Sequence, residues 1–188
     1  MVLIWYFLNY FFLYLFHDAY RHYRIRFQNE VEASHILHLA RKLEEKDRKY
    51  RIITGYEGQR SYIENLMMKE EDLEWGDKCF NVDSFQGNIF HKCFIFFLNF
   101  NCSTGNEEDF IIISIVRTSK LGFLKDLRRT NVMLSRCKKG MFIVSKRQFL
   151  TGEIVKESLI GQFVNKVPNP TWLTLEDVTG NEFWENEF

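Results

Sequence analysis

The segment Phe110 to Val116 (FIIISIV) constrains the fold more than any other stretch of the chain. Its apolar run is broken only by Ser114 and lacks the alternation of a strand with one wet face, so it predicts a strand covered on both sides. Strands of that kind sit at the centre of parallel sheets, and parallel neighbours need crossover connections, usually helices. The remaining sequence supplies both kinds of element. Val31 to Lys46 carries Ala33, Ile36, Leu37, Ala40 and Leu43 in one helical stripe. Tyr50 to Thr54 (YRIIT) predicts a strand, Glu57 to Lys69 a second helix, and Lys78 to Asp83 a strand closed by an SFQG turn. Leu127 to Cys137 predicts a helix with Leu127, Thr130, Leu134 and Cys137 facing inward. Met141 to Ser145 (MFIVS) reads as the last strong strand and Ile154 to Val164 as a closing helix. Strands and helices that alternate in this way predict an α/β fold with a parallel, doubly wound sheet.

Two segments depart from that pattern. Met1 to Phe16 is almost wholly apolar yet shorter than the ~20 residues of a membrane span, and it lacks the basic start of a secretory signal. Residues 1–27 are therefore read as an apolar extension: translated non-coding sequence, a signal anchor or a short buried element. The run Asn88 to Thr104 lies between two Gly-Asn pairs, Gly87-Asn88 and Gly105-Asn106. Excising one pair and the run joins VDSFQG to NEEDFIIISIVR, so 88–104 is expected to be an insert, in origin a translated intron, the competing reading being a genuine loop or strand. The domain proper then covers 28–165. Residues 166–188, with Pro168, Pro170 and many acids, are expected to be an extended or disordered tail.

Charge and cysteine usage narrow the function. The 25 basic residues match 25 acidic ones, so no global field draws the chain to nucleic acid or anionic lipid, and any such contact needs a local patch. Cys79, Cys93, Cys102 and Cys137 form no CxxC pair, and His35 and His38 find no third ligand, so no metal site is expected.

Three blocks carry the chemistry. The first is ITGYEGQRS (residues 53–61), a strand passing through a glycine turn into a helix. The second is VDSFQG (82–87), continued after the insert by NEEDF (106–110). The third is GFLKD (122–126) followed by LRRTNVMLSRC (127–137). Together, over roughly residues 29 to 150, they resemble motifs IV, V and VI of superfamily 1 helicases, in the group of the nonsense-mediated-decay helicase and senataxin. Gly55 stands where that family commonly has proline.

The resemblance implies the second RecA-like domain of a P-loop NTPase helicase, acting on single-stranded RNA or DNA. It gives Arg136 the role of arginine finger, a cation set against the charge that develops on a transferred phosphoryl group. Arg129, two turns earlier, is expected to face the same cleft. It implies nucleotide binding by Gln86, Gly87 and Glu107, and either nucleotide binding or bracing of the interdomain cleft by Gln59 and Arg60. Thr54 and Ser84, at strand ends, are expected to donate to nucleic-acid phosphates, with Lys138 adding local charge. The sequence holds no GxxxxGK[ST] phosphate loop and no acidic magnesium motif ahead of the blocks. ATP and Mg2+ are therefore expected only in a complete helicase with another RecA-like lobe, this chain being a truncated product inactive alone. The competing readings are a non-catalytic nucleic-acid- or protein-binding module and a membrane-anchored protein. The expected location is intracellular, in nucleus or cytoplasm.

Overall fold

The computed structural model describes residues 2–6, 27–86, 107–167 and 172–187. The insert expected over 88–104 and most of the expected N-terminal extension lie outside the described residues. In chain order the first elements are β1 (Val2–Tyr6), α1 (Glu30–Glu45), β2 (Tyr50–Thr54), α2 (Glu57–Met67), β3 (Cys79–Asn81) and α3 (Val82–Gln86). There follow β4 (Glu108–Ser114), a 3-10 turn (Gly122–Lys125), α4 (Leu127–Leu134), β5 (Cys137–Val144), α5 (Arg147–Leu150), α6 (Glu153–Lys156) and α7 (Leu159–Lys166). The chain closes with β6 (Trp172–Leu173), α8 (Leu175–Thr179) and α9 (Glu182–Glu187).

One sheet runs in the order β3-β2-β4-β5-β1-β6. Its first four strands are mutually parallel, as the uninterrupted isoleucines predict. Ile111, Ile112 and Ile113 have no exposed surface, and neither do Ile52, Ile53 and Met141 to Val144 on the flanking strands. Each such side chain contributes about 1.5–3 kcal/mol through burial. At the other edge β1 and β6 run antiparallel, so the sheet is mixed rather than wholly parallel.

Several expected boundaries move. The α1 helix keeps its stripe, with Ala33, Ile36, Leu37, Ala40 and Leu43 buried. The strand expected over Lys78 to Asp83 ends at Asn81, and Ser84 to Gln86 of the expected turn end a short helix. The α4 helix stops at Leu134, three residues early, because Arg136 and Cys137 join the sheet. The Arg136 carbonyl accepts from the Glu108 N–H at 3.1 Å, and Cys137 pairs with Glu108. The inward face of α4 is Thr130, Val132 and Met133, whereas Leu127 is 65% exposed. The helix expected over Ile154 to Val164 breaks in two, with Ser158 capping α7 by accepting from the Gly161 N–H.

The tail is a clearer correction, because residues 172–187 are folded. Thr174 and Asp177 form a reciprocal capping box that starts α8. Trp184, 1% exposed, stacks on Phe142 of β5 with ring centroids 6.0 Å apart. Its Nε1–H donates to the Val178 carbonyl at 2.8 Å, so the indole is buried with its polar edge satisfied.

Asp126 caps α4, its Oδ1 accepting from the N–H groups of Arg128 (2.9 Å) and Arg129 (3.2 Å). Asp126→Ala leaves those donors without this acceptor. It is expected to cost about 1 kcal/mol, read as a lower urea midpoint with an unchanged slope. A midpoint equal to wild type would show that the cap is energetically idle.

Candidate functional site

The sheet order fixes where a site can form. Among the parallel strands, β2 is first in sequence and lies between β3 and β4, so the chain passes from it to β3 on one side and then to β4 on the other. Doubly wound sheets bind ligands in the crevice that this reversal opens beyond the carboxyl ends of the strands. Here that place is the Thr54 end of β2 and the Ser114 end of β4, which are paired in register.

A buried polar network fills this crevice. Gln59, in the first turn of α2 and fully enclosed, accepts from the Asn29 N–H at 2.7 Å. Its Nε2 donates to the Asn29 carbonyl (3.1 Å) and to Ser114 Oγ (3.2 Å). Ser114 Oγ in turn donates to Glu32 Oε2 at 2.7 Å, and that same oxygen accepts from the Val116 N–H at 2.8 Å. Burial pushes the Glu32 carboxyl up to about 7, against the lowering effect of the Ser114 and Val116 hydrogen bonds. Beside the network, the Arg117 guanidinium lies 4.5 Å from the centroid of the Phe27 ring. Phe27 packs on Tyr56 (5.1 Å) and Tyr56 on Phe123 edge-to-face (5.4 Å). Gly55 is explained here: a Cβ on it would overlap the Phe123 ring.

The other end of the sheet holds a second cluster. The register sets Arg136 beside Glu108, the first residue of β4. Arg136 is 7% exposed. Burial lowers its pKa, and the nearby Glu107 charge acts the other way. The acidic run is answered by bases: Glu108 pairs with Arg51 at 3.6 Å and Asp109 with Lys139 at 2.7 Å. Cys137 is buried, and its thiol is pushed up to about 12, which leaves it protonated and a poor nucleophile.

The expected site residues therefore divide between two places. Six residue steps along β4 separate Glu108 from Ser114, a rise of about 20 Å. Glu107 and Arg136 are together at one end. Thr54, Gln59, Arg60, Ser84 and Arg129 belong to the other. Arg129 does not share a cleft with Arg136, because it lies in the first turn of α4 and Arg136 lies beyond the last. It pairs instead with Asp83 at 2.8 Å. Arg60 is bound by Glu57 (2.7 Å) and Glu64 (2.8 Å). Gln59 is hydrogen-bonded to Asn29 and Ser114 inside the crevice. Thr54 is fully enclosed, whereas Ser84 is exposed. Lys138, exposed at the start of β5, sits at the Arg136 end and so is separated from Ser84. Gln86 ends α3, and Gly87 lies outside the described residues.

Sequence reasoning missed Asn29, Glu32, Ser114, Val116 and Arg117. The available signal was Asn29-x-x-Glu32 at the head of an apolar-striped helix, the spacing of a capping box.

A profile of the AAA domain family matches residues 9–148 of this sequence, most of the chain. The chain belongs to that family. Its relatives identify the branch. Over 122 residues, 61% of this chain, it is 37% identical to regulator of nonsense transcripts 1 of Dictyostelium discoideum. It is 32% identical over 150 residues, 74% of the chain, to the ATP-dependent helicase NAM7 of Saccharomyces cerevisiae. An uncharacterized ATP-dependent helicase of Methanocaldococcus jannaschii is 30% identical over 135 residues, 71% of the chain. This AAA domain is thus of the superfamily 1 helicase type found in the nonsense-mediated-decay group, with the RecA-like α/β architecture described above. It spans 8%, 14% and 17% of those three proteins, respectively. Among the described residues no helix is long and apolar enough to cross a membrane.

Proposed function

We propose that this AAA domain is the second lobe of an ATP-driven motor on single-stranded RNA or DNA, with nucleotide and nucleic acid at opposite ends of its sheet. The observation that carries this reading is the pairing of β4 with β5, which brings Glu107 and Arg136 to one end while the polar crevice occupies the other. A motor must keep its fuel apart from its track yet couple them through a rigid element, and β4 spans the two.

At the Glu107 end, the chemistry suits a nucleoside triphosphate. A guanidinium offers fixed charge and several donors to a γ-phosphate, and a carboxylate can accept from a ribose hydroxyl. Mg2+ and the phosphate loop belong to a second RecA-like lobe, because no GxxxxGK[ST] occurs in these 188 residues. Arg136 acts on the nucleotide only when such a lobe closes the cleft, where a finger arginine is worth about 10^3–10^5 in turnover.

At the crevice end, the local patch demanded by a neutral chain is present. Residues 117–129 carry Arg117, Lys120, Lys125, Arg128 and Arg129 against the single acid Asp126. Lys120, Lys125 and Arg128 are exposed. Aromatic rings beside a basic segment suit a flexible strand, whose phosphates meet the cations and whose bases stack.

Titrating a fluorescent single-stranded oligonucleotide with the chain at several salt concentrations tests the nucleic-acid half. Lys120→Ala/Lys125→Ala/Arg128→Ala is expected to lower the slope of log affinity against log salt by about 2, as three lost single-strand phosphate contacts require. An unchanged slope would remove the track from this end of the sheet.

A further inference from the structure

The capping box at the head of α1 is diverted. Asn29 caps the helix in the ordinary way, its Oδ1 accepting from the Glu32 N–H at 3.1 Å. In the usual box the carboxylate at Glu32's position would return the favour to the Asn29 N–H. Here Gln59 takes that N–H at 2.7 Å, and the Glu32 carboxyl is released to the end of β4. There it receives both the Ser114 hydroxyl and the Val116 N–H on one oxygen.

The backbone it grips is unusual. Val116 has φ +66°, a left-handed conformation that a β-branched residue very rarely adopts. The Arg117 N–H donates to the Ile115 carbonyl at 2.7 Å, so Val116 is the centre of a three-residue γ-turn of the disfavoured hand. The turn is held from both sides: Glu32 takes its central N–H, and Asn29 Nδ2 donates to the Val116 carbonyl at 3.2 Å. The next residue, Arg117, is the one whose guanidinium lies on Phe27. Backbone in sparsely populated conformations persists only where its surroundings over-determine it, and here the surroundings are the first turn of α1.

We propose that Glu32 is a positioning residue: its buried carboxyl fixes the γ-turn at Val116 and so sets where Arg117 lies against Phe27. It acts through the backbone of residues 114 to 117 and touches no ligand. The proposal stands independently of what binds at the crevice.

The test uses the full chain labelled with 15N and follows the Nε–Hε resonance of Arg117, which the Phe27 ring current displaces. Phe27→Leu supplies the unstacked reference. Glu32→Ala is expected to move the resonance to that reference, and Glu32→Gln, which can still accept from the Val116 N–H, to leave it near wild type. Adding Val116→Gly to Glu32→Ala is expected to restore at least half of the displacement, because glycine adopts the left-handed turn without a carboxyl to enforce it. A carboxyl that merely filled space would gain nothing from Val116→Gly. An unmoved resonance in Glu32→Ala, or no recovery in the double variant, overturns the proposal. Should Glu32→Ala not fold, Glu32→Asp takes its place, since its carboxyl is one methylene short of the turn. Arg117 must then move and Val116→Gly must return it, and any other result counts against the assignment.

Discussion

Thermal stability of the chain is expected to fall as the pH rises from about 5 to about 8, and Glu32→Gln is expected to abolish most of that fall. The cause is a carboxyl that the fold prefers neutral. Glu32 is buried, its Oε2 accepts from Ser114 and Val116, and its Oε1 has no hydrogen-bond partner. Its pKa is accordingly raised from 4.5 to about 7, with burial as the main cause. A group held above its unfolded value contributes stability that is fully present below pH 4.5 and is lost progressively as the pH climbs through about 7. The full loss is on the order of 3 kcal/mol, or roughly 6–12 °C in Tm for a domain of this size. His38 runs the other way: burial first and Arg41 second lower its pKa, so its contribution is present above its usual 6.5 and lost at lower pH. Comparing Glu32→Gln with wild type at each pH cancels that background. Within the network, Asn29, Gln59 and Ser114 do not titrate in this range. Stability curves that stay parallel for the two proteins would mean that Glu32 is ionised at no cost.

The fold was legible where burial dominates. Ile111 to Ile113 occupy a strand covered on both faces, and the α1 stripe is buried as its spacing requires. Boundaries failed where a residue serves a tertiary partner. Ile115 and Val116 look like more strand, but Val116 turns left-handed and ends it. Cys137 continues a helical spacing from Thr130 and Leu134, yet the demand of the Glu108 N–H for the Arg136 carbonyl draws that segment into the sheet. Acidic composition and two prolines suggested a solvated tail, and Val178 and Trp184 outweigh them by burying against the core.

The site was legible as motifs and illegible as geometry. Sequence order recovers three blocks, but not which end of the sheet each one reaches. Arg129 and Arg136 are seven residues apart, two turns if helical, which suggested one shared face. Two turns also separate them by about 10 Å along the axis, and a crossover helix carries its two ends to opposite ends of the sheet. Glu32 was hidden for a different reason. Its spacing from Asn29 reads as an ordinary cap, and only the arrival of Gln59 from 30 residues away shows that the carboxyl is free for another task.

The Glu107–Arg136 end, where nucleotide binding is proposed, carries the largest expected effect. Arg136 is 7% exposed beside Glu107, at the N-terminal end of β5. If it supplies the charge for phosphoryl transfer, its removal should cost about 10^3-fold or more in turnover while leaving oligonucleotide affinity within about two-fold, because the basic segment lies about 20 Å away. Asp126→Ala, by contrast, should change stability with little effect on turnover.

The decisive measurement is nucleic-acid-stimulated ATP hydrolysis by a chimera in which this chain replaces the matching segment of the yeast helicase NAM7, compared with the same chimera carrying Arg136→Ala. We predict hydrolysis by the first and a loss of about three orders of magnitude in the second, with both binding oligonucleotide alike. Equal rates from the two chimeras, or an inactive parent that still binds nucleic acid, would contradict the motor assignment and leave a binding module in its place.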